Sequence, residues 1–193
     1  MPKRLVIMGG NIHGAGNVHS HSTAEFNFSM DPEAAHIVLK EMKCDITIVP
    51  WEAFLYESLK TDVDFHAHLK LDAPLSKFFE AITQSGREEL APSNRQYAYC
   101  DEIAMGVAID PARIVLETIV ARASVELHGE YTRGQCALDW TDLLWSNNQI
   151  THKIDRSRRP ITFVKDYNVI ELDKMLHEAI HNSTYKSEIK TKY

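Results

Sequence analysis

The sequence predicts an α/β fold: an open, mainly parallel sheet with flanking helices and a late β-hairpin. Two apolar runs and the segment between them carry that reading. Arg4-Leu5-Val6-Ile7-Met8 has the composition of a buried strand, and Asp45 to Val49 is a second apolar strand ended by Pro50. Between them, Pro32 to Met42 reads as a helix with Pro32 in its first turn, where the missing N–H costs nothing. A strand, helix, strand succession implies a parallel pair joined by a right-handed crossover.

The remaining elements follow from period and breakers. Leu59 to Thr83 carries apolar residues at helical spacing around Pro74, which predicts two shorter helices. Leu75, Phe78, Phe79 and Ile82 form the stripe of the second and are expected in the core. Asp101 to Ala108 predicts a helix with two acids in its first turn, ended before Pro111. Ser124 to Leu127 and Gln135 to Trp140 read as a hairpin around the Gly129 to Gly134 loop. Pro160 to Lys165 is the last expected strand and Val169 to Ile180 the last amphipathic helix. One domain over residues 1–182 is expected, followed by a polar tail over 183–193.

Composition bounds function more than it assigns it. A chain of 193 residues with 44% hydrophobic content supports one globular core. A formal net charge of −6 argues against a nucleic-acid surface, which needs clustered Lys and Arg. The one basic run, Arg156 to Arg159, is short, interrupted by Ser157 and read as a solvated turn. Cys44, Cys100 and Cys136 are odd in number and widely spaced, which suits free thiols in a reducing cytoplasm. No apolar run reaches the length of a membrane span, so no membrane partner is expected.

The chemistry concentrates after the first strand. Met8-Gly9-Gly10, Gly16-Asn17, Ala24-Glu25-Phe26-Asn27 and Asp31-Pro32-Glu33 crowd amides, carboxylates and glycines at its carboxyl end, where open α/β sheets bind ligands. Asn17 and Asn27 offer donors and acceptors and Glu25 a strong acceptor, the mixture that sugar hydroxyls require. The competing reading is a polar loop in which Glu25 and Asn27 cap the following helix. Asp101, alone, is a weak candidate, because an aspartate that opens a helix is more often a cap than a ligand. His19-x-His21 and His66-x-His68, with His13 nearby, allow a zinc reading, set against the alternative of exposed histidines.

The first motif resembles, nearly word for word, the signature of the inosine-uridine preferring nucleoside hydrolases, which cut the N-glycosidic bond of ribonucleosides. The similarity continues through Asp101, Asp110-Pro111, Val125-Glu126-Leu127, Thr132-Arg133-Gly134 and Asn168-Val169. It implies that Asn17, Glu25 and Asn27 hold the ribose hydroxyls, that Met8 lies against the sugar, and that Asp101 is a ligand of a Ca2+ cofactor. It further implies a small-molecule ribonucleoside substrate and a homo-oligomer. Cys100 occupies the position of the family's proton-donor histidine, and a thiol with an ordinary pKa of about 8.5 is a poor acid at neutral pH.

Family members begin with an aspartate cluster, Asp-x-Asp-x-x-x-Asp-Asp, which supplies most calcium ligands and the base for water. Asp62-x-Asp64 is the nearest approach here, in the wrong order and followed by Phe65-His66. The chain therefore resembles an N-terminally truncated nucleoside hydrolase. Two functions are expected: a nucleoside N-ribohydrolase using a calcium-activated water, or an inactive isoform acting through assembly with a full-length subunit. His13, His19 or His21 could assist the leaving base, and Trp51, Trp140, Trp145, Tyr97 and Tyr99 are candidates for stacking on it.

Overall fold

The computed structural model describes residues 3–18, 23–57, 61–90, 97–140 and 158–189. Its sheet has five strands: β1 (Arg4–Met8), β2 (Asp45–Val49), β3 (Val115–Val125), β4 (Cys136–Leu138) and β5 (Pro160–Tyr167), in the order β1-β2-β5-β3-β4. β1, β2 and β5 pair in parallel, whereas β3 runs antiparallel to both β5 and β4. The sheet is thus open and mixed, with β1 at one edge.

Helices cover both faces. α1 (Phe26–Met30) and α2 (Pro32–Glu41) connect β1 to β2, and α3 (Trp51–Glu57) follows β2 directly. α4 (Pro74–Leu90), α5 (Asp101–Ile109), α6 (Pro111–Ile114) and α7 (Val169–Ile189) complete the set. Two of the starts have a clear local cause. Asp31 caps α2 through Ala34 N–H at 2.9 Å, and Asp110 caps α6 through Arg113 N–H at 3.2 Å, each with proline in the first turn.

Strand alternation sorts the apolar residues onto the two faces. On β1, Leu5 and Ile7 pack toward one core with Ile46, Ile48, Ile161, Phe163 and Phe28. Val6 packs toward the other with Val49, Ile103, Val107, Val164 and Leu172. Residues at both levels are fully buried, with Ile48, Ile103 and Phe163 at 0% exposure.

Four expectations need correction. Leu59 and Lys60 lie outside the described residues; over residues 61–83 there are not two helices around Pro74, because Ala67–Lys70 is a single 3-10 turn and Pro74 opens one helix that runs to Leu90. Proline at a helix start disrupts nothing, so it marks a beginning here. The stripe on α4 is not core: Phe78 and Ile82 are 55% and 58% exposed. Strand β3 begins at Val115, nine residues before the expected Ser124. Glu117 and Arg122 hide it in the sequence, and a bulge near Glu117 breaks its alternation. Helix α7 continues past Ile180 to Ile189.

The late hairpin forms as expected, with Val125 opposite Cys136 and Ala123 opposite Leu138. Its loop docks on α1 through Gly134, which has φ +89° and whose added Cβ would lie 2.8 Å from the Ser29 Cα. Both the left-handed backbone and the backbone contact exclude a side chain. Gly134→Ala is expected to destabilise the protein by about 3 kcal/mol, from strain and overpacking together. Urea denaturation checks this, and a cost below about 1 kcal/mol would show that the hairpin loop is not fixed against α1.

Candidate active site

Backbone geometry after β1 builds the site. Gly9 N–H continues the ladder to Val49 O at 3.1 Å, and Trp51 N–H reaches Gly10 O at 3.0 Å, so the loop leaves the sheet along the start of α3. Gly9 has φ +148°, and a Cβ there would sit 3.0 Å from the Phe28 ring and 3.1 Å from Glu25 Oε2. Only glycine lets the chain pass this close to Glu25.

Two buried carboxylates then hold the loop. Glu25, 1% exposed, accepts Gly10 N–H and Asn27 N–H at 2.8 Å each and Phe28 N–H at 3.2 Å. It is the N-cap of α1 and a clamp on the glycine turn at once. Glu52, 2% exposed on α3, accepts Ile12 N–H at 2.9 Å and His13 N–H at 2.8 Å. The sequence reading missed Glu52, since an acid in a first helical turn is ordinary and nothing local reports its distant partners. Asn11, fully buried, closes the loop by donating to Thr23 O at 2.7 Å and accepting from Cys136 N–H at 3.1 Å.

The expected sugar ligands gather around this frame. Asn27 donates from Nδ2 to Met8 O at 3.4 Å and Sδ at 3.2 Å, which orients the amide and leaves Oδ1 as an acceptor. Asn17 accepts Phe26 N–H on Oδ1 at 2.7 Å, which leaves its Nδ2 donors. Glu25 has spent three of roughly four lone-pair sites, so one remains. The two expectations for Glu25, helix cap and site acceptor, are therefore compatible.

Asp101 reaches the same neighbourhood from the other side. It opens α5, which packs on β1, and its exposed carboxylate makes no hydrogen bond or ion pair among the described residues. Its charge acts on Glu25. Burial pushes the Glu25 carboxyl above the ordinary glutamate range; the N–H bonds from Asn27, Gly10 and Phe28 oppose this, and Asp101 adds to it. Burial, with Asp101, Glu102 and Glu25 adding to it, also drives the Cys100 thiol up to about 12. Cys100 thus stays protonated and is no acid for a leaving base.

The resemblance implies calcium, which takes six to eight oxygen ligands. The fit is poor. Among the described residues no three His, Cys, Asp or Glu side chains form a group that could hold a metal ion. Asp101 offers oxygens, whereas Glu25 has one site to spare, so these residues alone do not make a calcium site. Asp64, the nearest approach to the aspartate cluster, is engaged by Lys70 at 2.7 Å and His66 N–H at 3.0 Å.

The histidines and aromatics separate. His13 is exposed and stacks on Trp140 with centroids 5.4 Å apart, while His19, His21 and Trp145 lie outside the described residues. His68 is buried and His66 half-buried, so the expected exposed pair does not occur. Tyr97 donates to Glu102, and Tyr99, fully buried, donates to Asp173 at 2.6 Å. Trp51 packs against Phe54 at 4.5 Å. Arg158 pairs with Asp139 at 3.4 Å and Arg159 donates to Lys43 O, while the rest of that basic run lies outside the described residues.

The raised Glu25 pKa fixes a pH dependence. The folded state holds the proton more tightly than the unfolded one, so Glu25 supports stability at low pH and that support is lost as pH rises from 4.5 through the raised value. Relative to Glu25→Gln, the wild type should lose stability over that window; urea midpoints measured across it check the sign, and a rising difference would refute it. Cys100 and Cys136, both pushed up to about 12, should resist iodoacetamide in the native protein at pH 8, with half-exposed Cys44 modified first. Peptide mass spectrometry reads the order, and early loss of the Cys100 thiol would contradict it.

Comparison with known proteins meets this geometry. Residues 2–169 match the family model for inosine-uridine preferring nucleoside hydrolases. The chain is 32% identical over 141 residues to such an enzyme from Crithidia fasciculata and 29% over 139 residues to one from Leishmania major. In each case the match takes in 72% of this chain and 42% of the relative, so the chain spans less than half the length of these curated relatives. Among solved structures, an inosine-guanosine nucleoside hydrolase aligns with TM-score 0.66 and 24% identity, over 90% of this chain and 50% of its own. A plant nucleoside hydrolase aligns with TM-score 0.69 and 19% identity, over 92% and 53%, and these two support the fold alone. The family match extends over the glycine loop, both buried carboxylates, Asp101 and the hairpin, and the chain belongs to the inosine-uridine preferring nucleoside hydrolase family.

Proposed function

We propose that this chain supplies the ribose-binding part of a nucleoside N-ribohydrolase, which splits purine or pyrimidine ribonucleosides into base and ribose. One observation carries the reading: Met8, Asn17, Glu25 and Asn27 meet at the carboxyl end of β1, within reach of the Asp101 charge. The free Oδ1 of Asn27, the Nδ2 donors of Asn17 and the last lone pair of Glu25 complement the donor and acceptor pattern of vicinal hydroxyls. Met8 offers an apolar, polarizable contact for a sugar face.

Glycosidic cleavage builds positive charge on the ribosyl ring. Glu25 and Asp101 place negative charge beside that ring, and the frame around Glu25 is already organised by backbone N–H groups, so little reorganisation accompanies the reaction. Asp101 would offer carboxylate oxygens to a divalent cation, whose charge would position and acidify a water. The described residues of this chain do not complete such a site, and Cys100 cannot donate a proton to the departing base. Those two facts favour a second reading for the isolated polypeptide, a non-catalytic chain that acts by assembling with a full-length subunit. Three free cysteines are in keeping with a reducing compartment, and no helix among the described residues is long and apolar enough to cross a membrane.

Release of free ribose from inosine and uridine decides between the readings. Addition of Ca2+ to the chain should give release that Asp101→Ala lowers at least about 100-fold, and Asn27→Ala should raise KM about tenfold through one lost hydrogen bond. No release alone, but a changed rate on mixing with a full-length family member, selects the assembly reading. Release insensitive to both substitutions would remove this site from the reaction.

A further inference from the structure

The cavity beside Asp101 borders the site already described. Another, of about 220 Å³, opens between α2, the second half of β3 and the residues that lead into β5. Because β1, β2 and β5 run in parallel, the entry to β5 lies at the opposite end of the sheet from Met8. Lys40, Arg158 and Arg159 line this cavity together with His36 and Ser124, and Leu39 adds an apolar wall. Among the described residues no Asp or Glu lines it. Three cations around one opening stand out in a chain whose acids outnumber its Lys and Arg by 27 to 21.

The surroundings of these cations leave most of their charge in place. Arg159 donates to a backbone oxygen, Lys43 O, at 3.4 Å, which holds the guanidinium without cancelling its charge. Lys40 meets Glu41 at 3.9 Å with both side chains exposed, a contact worth little in water. Arg158 pairs with Asp139 at 3.4 Å, so one of the three charges is balanced. Ser124 Oγ and His36 Nδ1 lie 3.3 Å apart. If the hydroxyl donates, the ring carries its proton on Nε2; if the ring donates, the hydroxyl proton is free. In either tautomer one neutral donor remains.

Two uncancelled positive charges, with donors contributed by α2, β3 and the entry to β5, call for a compact anion that has several acceptor oxygens. A phosphoryl group carries a charge of about −1.5 to −2 at neutral pH on three strong acceptor oxygens. A carboxylate, with a single charge, would leave one cation unmet. The cavity is smaller than the roughly 300–1,000 Å³ of drug-sized sites, which suits a phosphoryl group with a few attached atoms. Guanidinium groups also match the geometry of phosphate oxygens.

We propose that this cavity binds a phosphoryl group, as inorganic phosphate or as a small phosphomonoester, through Arg159, Lys40 and the Ser124–His36 pair. The site is independent of the nucleoside reading, and it narrows the expectation of a solvated turn at Arg156 to Arg159, since the last two residues front a cavity. Titration of the whole chain with inorganic phosphate and with glycerol phosphate, at constant ionic strength and read by phosphorus NMR line broadening, tests it. Arg159→Gln should weaken phosphate at least about tenfold and Lys40→Gln about fivefold, through lost charge-assisted hydrogen bonds. Lys77→Gln, which removes an exposed cation elsewhere, should stay within about twofold. Lys40 is exposed, so its variant keeps the test open if Arg159→Gln does not fold.

Tighter binding of glycerol phosphate identifies an esterified ligand and tighter binding of inorganic phosphate the free ion; both uphold the site. Phosphate should also raise Tm more than chloride at equal ionic strength, and loss of that difference in Lys40→Gln separates binding from the general salt effect of phosphate. Absence of line broadening with the wild type at millimolar phosphate overturns the proposal. Equal weakening by Lys40→Gln and Lys77→Gln also overturns it, because diffuse surface charge would then account for the attraction.

Discussion

Backbone N–H groups in the loop after β1 point inward toward two carboxylates, and the arrangement of the site depends on that inversion of the usual rule. Glu25 and Glu52 are nearly inaccessible to water, yet among the described residues neither has a cationic partner; backbone amides from Gly10, Ile12, His13, Asn27 and Phe28 stand in for solvent. A buried carboxylate is tolerated when its lone pairs are met. The exchange works in both directions, because the Gly10, Ile12 and His13 amides sit in an irregular loop and those of Asn27 and Phe28 in the first turn of α1, where no ladder or helix bond satisfies them.

That frame explains the division of labour among the polar side chains. Glu25 spends its hydrogen bonding mainly on the backbone N–H groups of Gly10, Asn27 and Phe28, while Asn17 and Asn27 each use one half of their amide for orientation and keep the other half. Pre-oriented amides lose little freedom on binding a sugar, which is the usual route to specificity in a polyol site. The Asp101 carboxylate differs from them all, since it is exposed, unpaired among the described residues and placed by the start of α5.

Desolvation sets the protonation of the groups around it. Cys100, Tyr97 and Glu25 are all pushed toward their neutral forms, while His66 and His68 are pushed toward theirs from the opposite side. The cavity beside Asp101 therefore holds two imidazoles pushed toward their neutral forms, with Arg87, Asp101 and Glu102 also in its lining.

The sequence by itself determined the apolar strands β1 and β2, the helix between them, the late hairpin and the cluster Met8, Asn17, Glu25, Asn27. These are signals of local period and of residue density, and the family motif lies in one continuous stretch. It also determined that Cys100 would be a weak acid, since the residue type alone limits that. Most of β3 was hidden by Glu117 and Arg122, charged residues inside a strand that is paired on both sides, and by the bulge near Glu117. Only the tertiary structure decided the rest. Glu52 lies about 40 positions from the amides it binds, and His66, His68, Arg87 and Asp101 line one cavity only because the 3-10 turn, α4 and α5 pack together. Long-range partners, burial and the exposed stripe of α4 are properties of packing, which no local pattern in the chain encodes.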